Sequence, residues 1–276
     1  MRHRIVNILR NLAPSPAISI YRRLSGKGGF YGDYSTWEDA RKLCTGYDVD
    51  IILEKVMEAA LKVRKGDAAY EQDSVQFDRI RYSWPLLAGL LWIASRNGNR
   101  LSLLDFGGSL GTTYLQNVRF LNHLDELRWG IVEQEKFVQV GKRYFENEHL
   151  TFYYNPDECI GERRPDTILF SGVLQYLEKP YEVLVETLRK GFRQVILDRT
   201  PFLERGEDRI TVQIVPPEIY PASYPAWFFN LEKFRNFFSG DFDLIAEFDS
   251  LESFNLGEIH DSQGKGFIFR RKELGR

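Results

Sequence analysis

The stretch of this 276-residue chain best suited to chemistry is LLDFGGSLGTTY, from Leu103 to Tyr114. An apolar run ends in an acidic residue, Asp105. A glycine-rich turn then leads into a helical pattern. Gly107 and Gly108 let the backbone turn tightly and come close to a ligand. A helix starting just beyond such a turn aims its first amide groups at that ligand. A triphosphate loop needs G-x-x-x-x-G-K-[ST], and no lysine follows here. A dinucleotide fingerprint needs G-x-G-x-x-G, but from Gly107 the third and sixth positions are Ser109 and Thr112. The spacing therefore argues against both a phosphate loop and a nicotinamide-dependent oxidoreductase.

A third pattern, D-x-G-x-G-x-G, holds S-adenosylmethionine. Asp105, Gly107 and Gly111 match it, with Ser109 at the middle glycine. A tight strand-to-helix turn without a ligand is the plain alternative. A second feature follows 28 residues later, where Glu133 and Gln134 end the string GIVEQ. An acid at the end of the neighbouring strand accepts hydrogen bonds from both hydroxyls of a ribose. A third is DTILFSGVLQYLEKP, in which Ser171 and Gly172 end a strand and Gln175 and Tyr176 follow. These four face either ligand and substrate or, as a mere connector, the core.

Transfer of a methyl group to oxygen or nitrogen gains from a general base. Asp198, expected to end the fifth strand within ILDRT, is one candidate; Tyr224 and His260 are others, on segments expected near the same sheet edge. His260 also reads as an ordinary turn histidine. Tyr31, Asp33 and Tyr34 in FYGDYSTW, with Tyr220 and Trp227 further on, are the candidate acceptor-binding residues. Aromatic rings around an acid suit a sugar face; the same rings suit a tether for a helical cap.

The elements that must position these residues follow from periodicity. From Leu101 onward apolar strands alternate with amphipathic helices, which implies a parallel sheet covered on both faces. The segment 201–229, rich in proline and aromatics, reads as one long functional loop. The last two strand patterns are joined too closely for a helical crossover, so they should pair antiparallel. Residues 30–100 read as a helical cap, with a capping box at Ser35 and Glu38. Residues 1–29 read as an arm. Ile5, Ile8, Leu9 and Leu12 share one helical face, and the first 32 residues hold six Lys/Arg and no acid. Such a segment suits an anionic membrane surface.

Composition narrows the classes further. Apolar residues make up 43% and charged residues 28%, a globular balance. The net charge of −2 provides no basic field for nucleic acid. Two cysteines and four histidines form no metal-binding spacing, and no zinc or other metal is expected. The longest apolar run, Trp84 to Ser95, is short of a membrane span.

The glycine loop, Glu133 and the antiparallel final strands resemble class I S-adenosylmethionine-dependent methyltransferases over about residues 75–272. More narrowly, FYGDYSTWEDA, GYD, LLDFGGSLGTTY, FSGVLQYLEKPYEVL, ILDRTPF and YPASYPAWFF are similar to a bacterial methyltransferase family often encoded among surface-polysaccharide and lipopolysaccharide biosynthesis genes. The resemblance implies that Gly107, Gly108, Ser109 and Gly111 wrap the methionine part of the donor. It implies that Asp105 positions the loop or meets the amino group and that Glu133 holds the ribose. Asn155 or Asp157 would reach the adenine, and Ser171 and Gly172 would flank the sulfonium.

The expected molecule is thus a Rossmann-like, doubly wound α/β protein. It has a seven-stranded, mostly parallel sheet with an antiparallel last strand in residues 101–276, a helical cap in 30–100 and a basic arm in 1–29. It would be a cytoplasmic, S-adenosyl-L-methionine-dependent enzyme that O-methylates a glycan or small molecule in surface-polysaccharide biosynthesis, working peripherally at the inner membrane through its arm. A scaffold or ligand-binding protein that kept the sheet and lost catalysis is the alternative.

Overall fold

The computed structural model describes residues 28–46, 49–72, 75–217, 219–252, 254, 256 and 262–273. Seven strands form the central sheet: β4 (Arg100–Phe106), β5 (Glu126–Val132), β6 (Leu150–Tyr153), β7 (Thr167–Ser171), β8 (Gln194–Leu203), β11 (Phe242–Asp249) and β12 (Ser262–Arg271). Their spatial order is β6-β5-β4-β7-β8-β12-β11. β4, β5, β6, β7 and β8 pair in parallel, while β12 lies antiparallel between β8 and β11. This is the doubly wound, Rossmann-like sheet that the alternation of patterns implies. The strand order reverses between β4 and β7, which opens a crevice at their carboxyl ends.

The sequence of each strand sorts its side chains to two covered faces. Leu101, Leu103, Trp129, Ile131, Leu169 and Ile196 pack with α3 (Trp84–Arg96), α4 (Thr112–Leu121) and α5 (Glu135–Tyr144). Leu104, Val132, Ile168, Phe170, Val195 and Leu197 face the other way, toward α6 (Pro156–Arg163), α7 (Pro180–Leu188) and α8 (Leu231–Ser239). Phenylalanines dominate this second core, where Phe238 and Phe269 stack at 4.3 Å between ring centroids. Burial of both faces fixes register, since a slip of one residue would exchange the two cores.

Two regions differ from the sequence expectation. Residues 201–229 are not one long loop. They complete β8 and then form β9 (Arg209–Ile214) and β10 (Ser223–Asn230), which pair antiparallel. The prolines concealed this. Among the described residues, the part of β10 that holds Pro225 pairs with β9 alone, because β10 meets β8 at Phe229 and Asn230. A residue without an N–H is tolerated there.

Residues 30–100 are not helical throughout. β1 (Gly29–Tyr34) adds to β9 and makes a three-stranded ribbon beyond the end of β8. There follow α1 (Trp37–Lys42), α2 (Val49–Lys65), a hairpin of β2 (Tyr70–Gln72) and β3 (Val75–Phe77), and then α3. The cap of α1 is Thr36, whose hydroxyl accepts from the Asp39 N–H at 3.1 Å, one position later than the Ser35/Glu38 box. α3 belongs with the sheet, because its Leu86, Leu90 and Ile93 share the core with Leu103 and Ile268.

The arm 1–29 lies outside the described residues except for Gly28 and Gly29, and His260 lies outside them too. Among the described residues no helix is long and apolar enough to cross a membrane, and no group of three or more His, Cys, Asp or Glu is placed to hold a metal ion.

Candidate active site at the carboxyl ends of the strands

The glycine loop joins β4 to α4 at the point where strand order reverses. Gly107 takes φ +71 and donates its N–H to Val132 O at 2.9 Å, which extends the β4–β5 ladder by one bond into the loop. A Cβ on Gly107 would stand 2.5 Å from Val173, on the segment that follows β7. The loop and that segment therefore touch across the crevice. Gly111 caps α4 with φ +95. Ser109, at the position usually held by glycine, takes φ +53. It adopts the left-handed conformation that glycine takes freely, at a cost of about 1–2 kcal/mol.

Asp105 lies beneath this loop, fully buried. Trp129 Nε1 donates to its Oδ2 at 3.0 Å, while Oδ1 has no partner. A Cβ on Gly108 would stand 2.6 Å from the carboxyl carbon. The loop main chain thus rests on the carboxyl group, and only glycine fits. Burial, with a smaller effect from the charge of Glu133, pushes the Asp105 pKa up to about 7.

Glu133 stands just past β5 and joins the strand end to the loop. Its Oε1 accepts from Ser109 N–H at 3.3 Å and its Oε2 from Gln134 N–H at 2.7 Å. Burial raises its pKa, and the two backbone donors oppose that rise. Gln134 caps α5 through its backbone geometry, without a side-chain cap bond.

The N-terminal elements close over this end of the sheet. Glu71 of β2 accepts from the hydroxyl of Thr112, the first residue of α4. α2 is tied to α5 at both ends, through Asp50 to Lys136 at 2.5 Å and through Arg64 to Tyr144 O. No spacing in the sequence signals these ties, since they join residues about 40 to 90 apart.

The other wall is built from the end of β7 and the middle of β8, which runs on to Leu203, so Asp198 does not end its strand as expected. Ser171 is the register partner of Asp198, and Gly172, with φ +68, donates its N–H to Asp198 O at 3.0 Å. Gln175, buried in a 3₁₀ turn at Leu174–Tyr176, donates through Nε2 to Arg199 O at 3.2 Å. Ser171 Oγ, Gln175 Oε1 and Asp198 Oδ1 are buried without hydrogen-bond partners. Asp198 is 2% exposed. Burial, then the charge of Glu252, pushes its pKa up to about 7 against the pull of Arg199. Arg199 and Glu252 form an ion pair at 3.0 Å that the sequence analysis did not single out. The arginine follows Asp198 directly, whereas Glu252 comes from the segment after β11.

The ribbon divides the remaining candidates between its two faces. Phe30, Gln213, Tyr224 and Phe228 share one face by register. There Tyr224 meets Tyr176 edge to face at 5.2 Å, beside the wall just described. Tyr31 and Tyr34 lie on the opposite face, register partners of Val212 and Ile210. They line a cavity of about 200 Å³ with Leu43, Ile214 and Pro221, so they do not close over the crevice. Asp33 is exposed and paired with Arg209 at 2.9 Å. Trp227 stacks on Trp37 and donates to Leu177 O at 3.1 Å. Tyr220 is buried in the core. Asn155 is occupied as the cap of α6, with its Oδ1 accepting from Glu158 N–H at 3.0 Å.

No family model matches the chain, and no curated protein does. Several solved structures align with the chain in part. The N-terminal domain of EvdMO1, crystallised in the presence of SAH and D-fucose, aligns at 13% identity and TM-score 0.47 over 74% of this chain and 90% of that one. A S-adenosylmethionine-dependent methyltransferase from Clostridium acetobutylicum aligns at 9% identity and TM-score 0.46, over 80% and 99%. Magnesium protoporphyrin IX methyltransferase from Synechocystis with bound SAH aligns at 13% identity and TM-score 0.45, over 68% and 83%. At these levels the likenesses say nothing about ligand or activity.

Proposed function

We propose that this chain is an S-adenosyl-L-methionine-dependent methyltransferase that methylates an oxygen of a glycan or other small acceptor in surface-polysaccharide biosynthesis. The observation that supports this most is the linked set of Asp105, the Gly107–Gly111 loop and Glu133 at the switch point of the sheet. The residues suit the donor. Gly108 leaves room for main chain alone above Asp105, whose unpartnered Oδ1 matches a positively charged amino group. Glu133 provides carboxylate oxygens for two ribose hydroxyls.

The bound donor supplies an electrophilic methyl group on a sulfonium. The chain's own contribution is orientation, which can lower a barrier greatly when the reacting atoms are held in line. Gly107 and Gly172 bring main chain to the two sides of the crevice. Asp198 takes the proton of the acceptor hydroxyl as the new O–C bond forms and the S–C bond breaks. A base that titrates near 7 suits that work at neutral pH. Tyr176 and Tyr224 present an aromatic edge beside it. In this reading the protein works in the cytoplasm, and the basic arm 1–29 holds it at the inner membrane surface.

Calorimetric titration with S-adenosylmethionine, S-adenosylhomocysteine and NAD tests the donor assignment. Binding of the first two at micromolar level without the third is expected, and binding of NAD alone would overturn it. Removal of residues 1–29 should lower association with anionic liposomes and leave donor binding intact; unchanged association would refute the role of the arm.

A further inference from the structure

We propose that Glu252 is a specificity residue: by pairing internally with Arg199 it reserves the acceptor wall for neutral, hydroxyl-bearing molecules and excludes carboxylates and phosphates. This rests on the methyltransferase reading and goes beyond it by naming the chemistry of the acceptor.

Two observations carry it. The first is the placement of Arg199. A Cβ on Gly172 would stand 3.3 Å from the guanidinium carbon, so the guanidinium lies against the main chain at the end of β7. Arg199 holds this place with φ +54, a conformation unfavourable for arginine. A planar guanidinium there would bind a carboxylate or phosphate in two-pronged fashion. Glu252 Oε1 already stands against its Nε at 3.0 Å.

The second is the set of partnerless atoms beside the pair. Asp198 Oδ1 and Gln175 Oε1 accept hydrogen bonds, and Ser171 Oγ either accepts or donates. The orientation of the Gln175 amide is fixed, because its nitrogen already donates to the carbonyl of Arg199. Buried acceptors without donors are costly, and hydroxyl groups satisfy them. An anion would bring further acceptors to the same place.

A matched pair of sugar probes tests this. Methyl β-D-glucopyranoside and methyl β-D-glucuronide differ by a hydroxymethyl against a carboxylate. Each is titrated calorimetrically into full-length protein saturated with S-adenosylhomocysteine. The wild type should prefer the neutral probe by about tenfold or more, the scale of one hydrogen bond to a charged group. Glu252→Gln removes the carboxylate charge that faces the guanidinium and should shift the ratio toward the glucuronide by about tenfold or more. Gln175→Leu should weaken the neutral probe and leave the homocysteine product bound as in the wild type. Preference of the wild type for the glucuronide, binding of neither probe, or an unchanged ratio in Glu252→Gln would overturn the proposal. Loss of S-adenosylhomocysteine binding by the wild type would instead overturn the donor reading.

Discussion

Replacing Asp105 with asparagine should make the folded chain less sensitive to alkali. The carboxyl titrates near 7 when folded, against 3.8 for an ordinary aspartate. At pH 5 the unfolded chain has lost this proton and the folded chain keeps it; at pH 8 both have lost it. The folded state therefore binds more protons across this window, and stability falls as pH rises. For one such group the fall between pH 5 and pH 8 is about 2–3 kcal/mol. An unfolding entropy of about 2.1 cal/mol/K per residue over 276 residues converts this to roughly 4 °C of melting temperature. Asparagine keeps an oxygen for Trp129 Nε1 and has no charge to bury. Melting curves of the ligand-free protein at both pH values read the effect. The wild type should lose more than Asp105→Asn by that amount, and the variant should keep the part of the fall due to Asp198. Equal falls in both proteins would refute the reasoning.

Three further outcomes are expected. Gly108→Ala should displace the Asp105 carboxyl, destabilise the chain by about 1–3 kcal/mol and weaken S-adenosylhomocysteine binding at least tenfold in calorimetry, because its Cβ has no space. Ser109→Gly should raise stability in urea by about 0.5–1 kcal/mol, since relief of the left-handed strain exceeds the added freedom of the unfolded chain. Once an acceptor is in hand, methyl transfer should rise with pH as Asp198 loses its proton, with a midpoint near 7, and Asp198→Asn should abolish that limb of the profile.

The cluster of Asp105, the glycine loop and Glu133 was legible in the sequence because its residues are local. The loop lies within one strand–turn–helix unit, and Glu133 ends the very next strand. The sheet was legible for the same reason, each unit repeating a period that only a covered parallel sheet accommodates. The ribbon was not. Pro225 of β10 sits where the strand is open on one side, Pro216, Pro217 and Pro221 stand in the connection before it, and together they read as loop, while β1 reaches β9 across about 180 residues. That pairing decides which face Tyr31, Tyr34 and Tyr224 occupy, which aromatic content alone does not. Arg199 stood in plain view beside Asp198, but its meaning depends on Glu252, more than 50 residues away. The Glu71 bond to Thr112 depends in the same way on a cap whose position no local pattern encodes.

The central claim is that the crevice between the Gly107–Gly111 loop and Gly172 holds an adenosyl donor by its ribose. Calorimetry of S-adenosylhomocysteine against wild type and Glu133→Ala tests it most directly. Two hydrogen bonds to a charged acceptor, at about 1.5–3 kcal/mol each, predict at least a hundredfold loss of affinity in a variant that remains folded. Equal affinity in the two proteins would contradict the account.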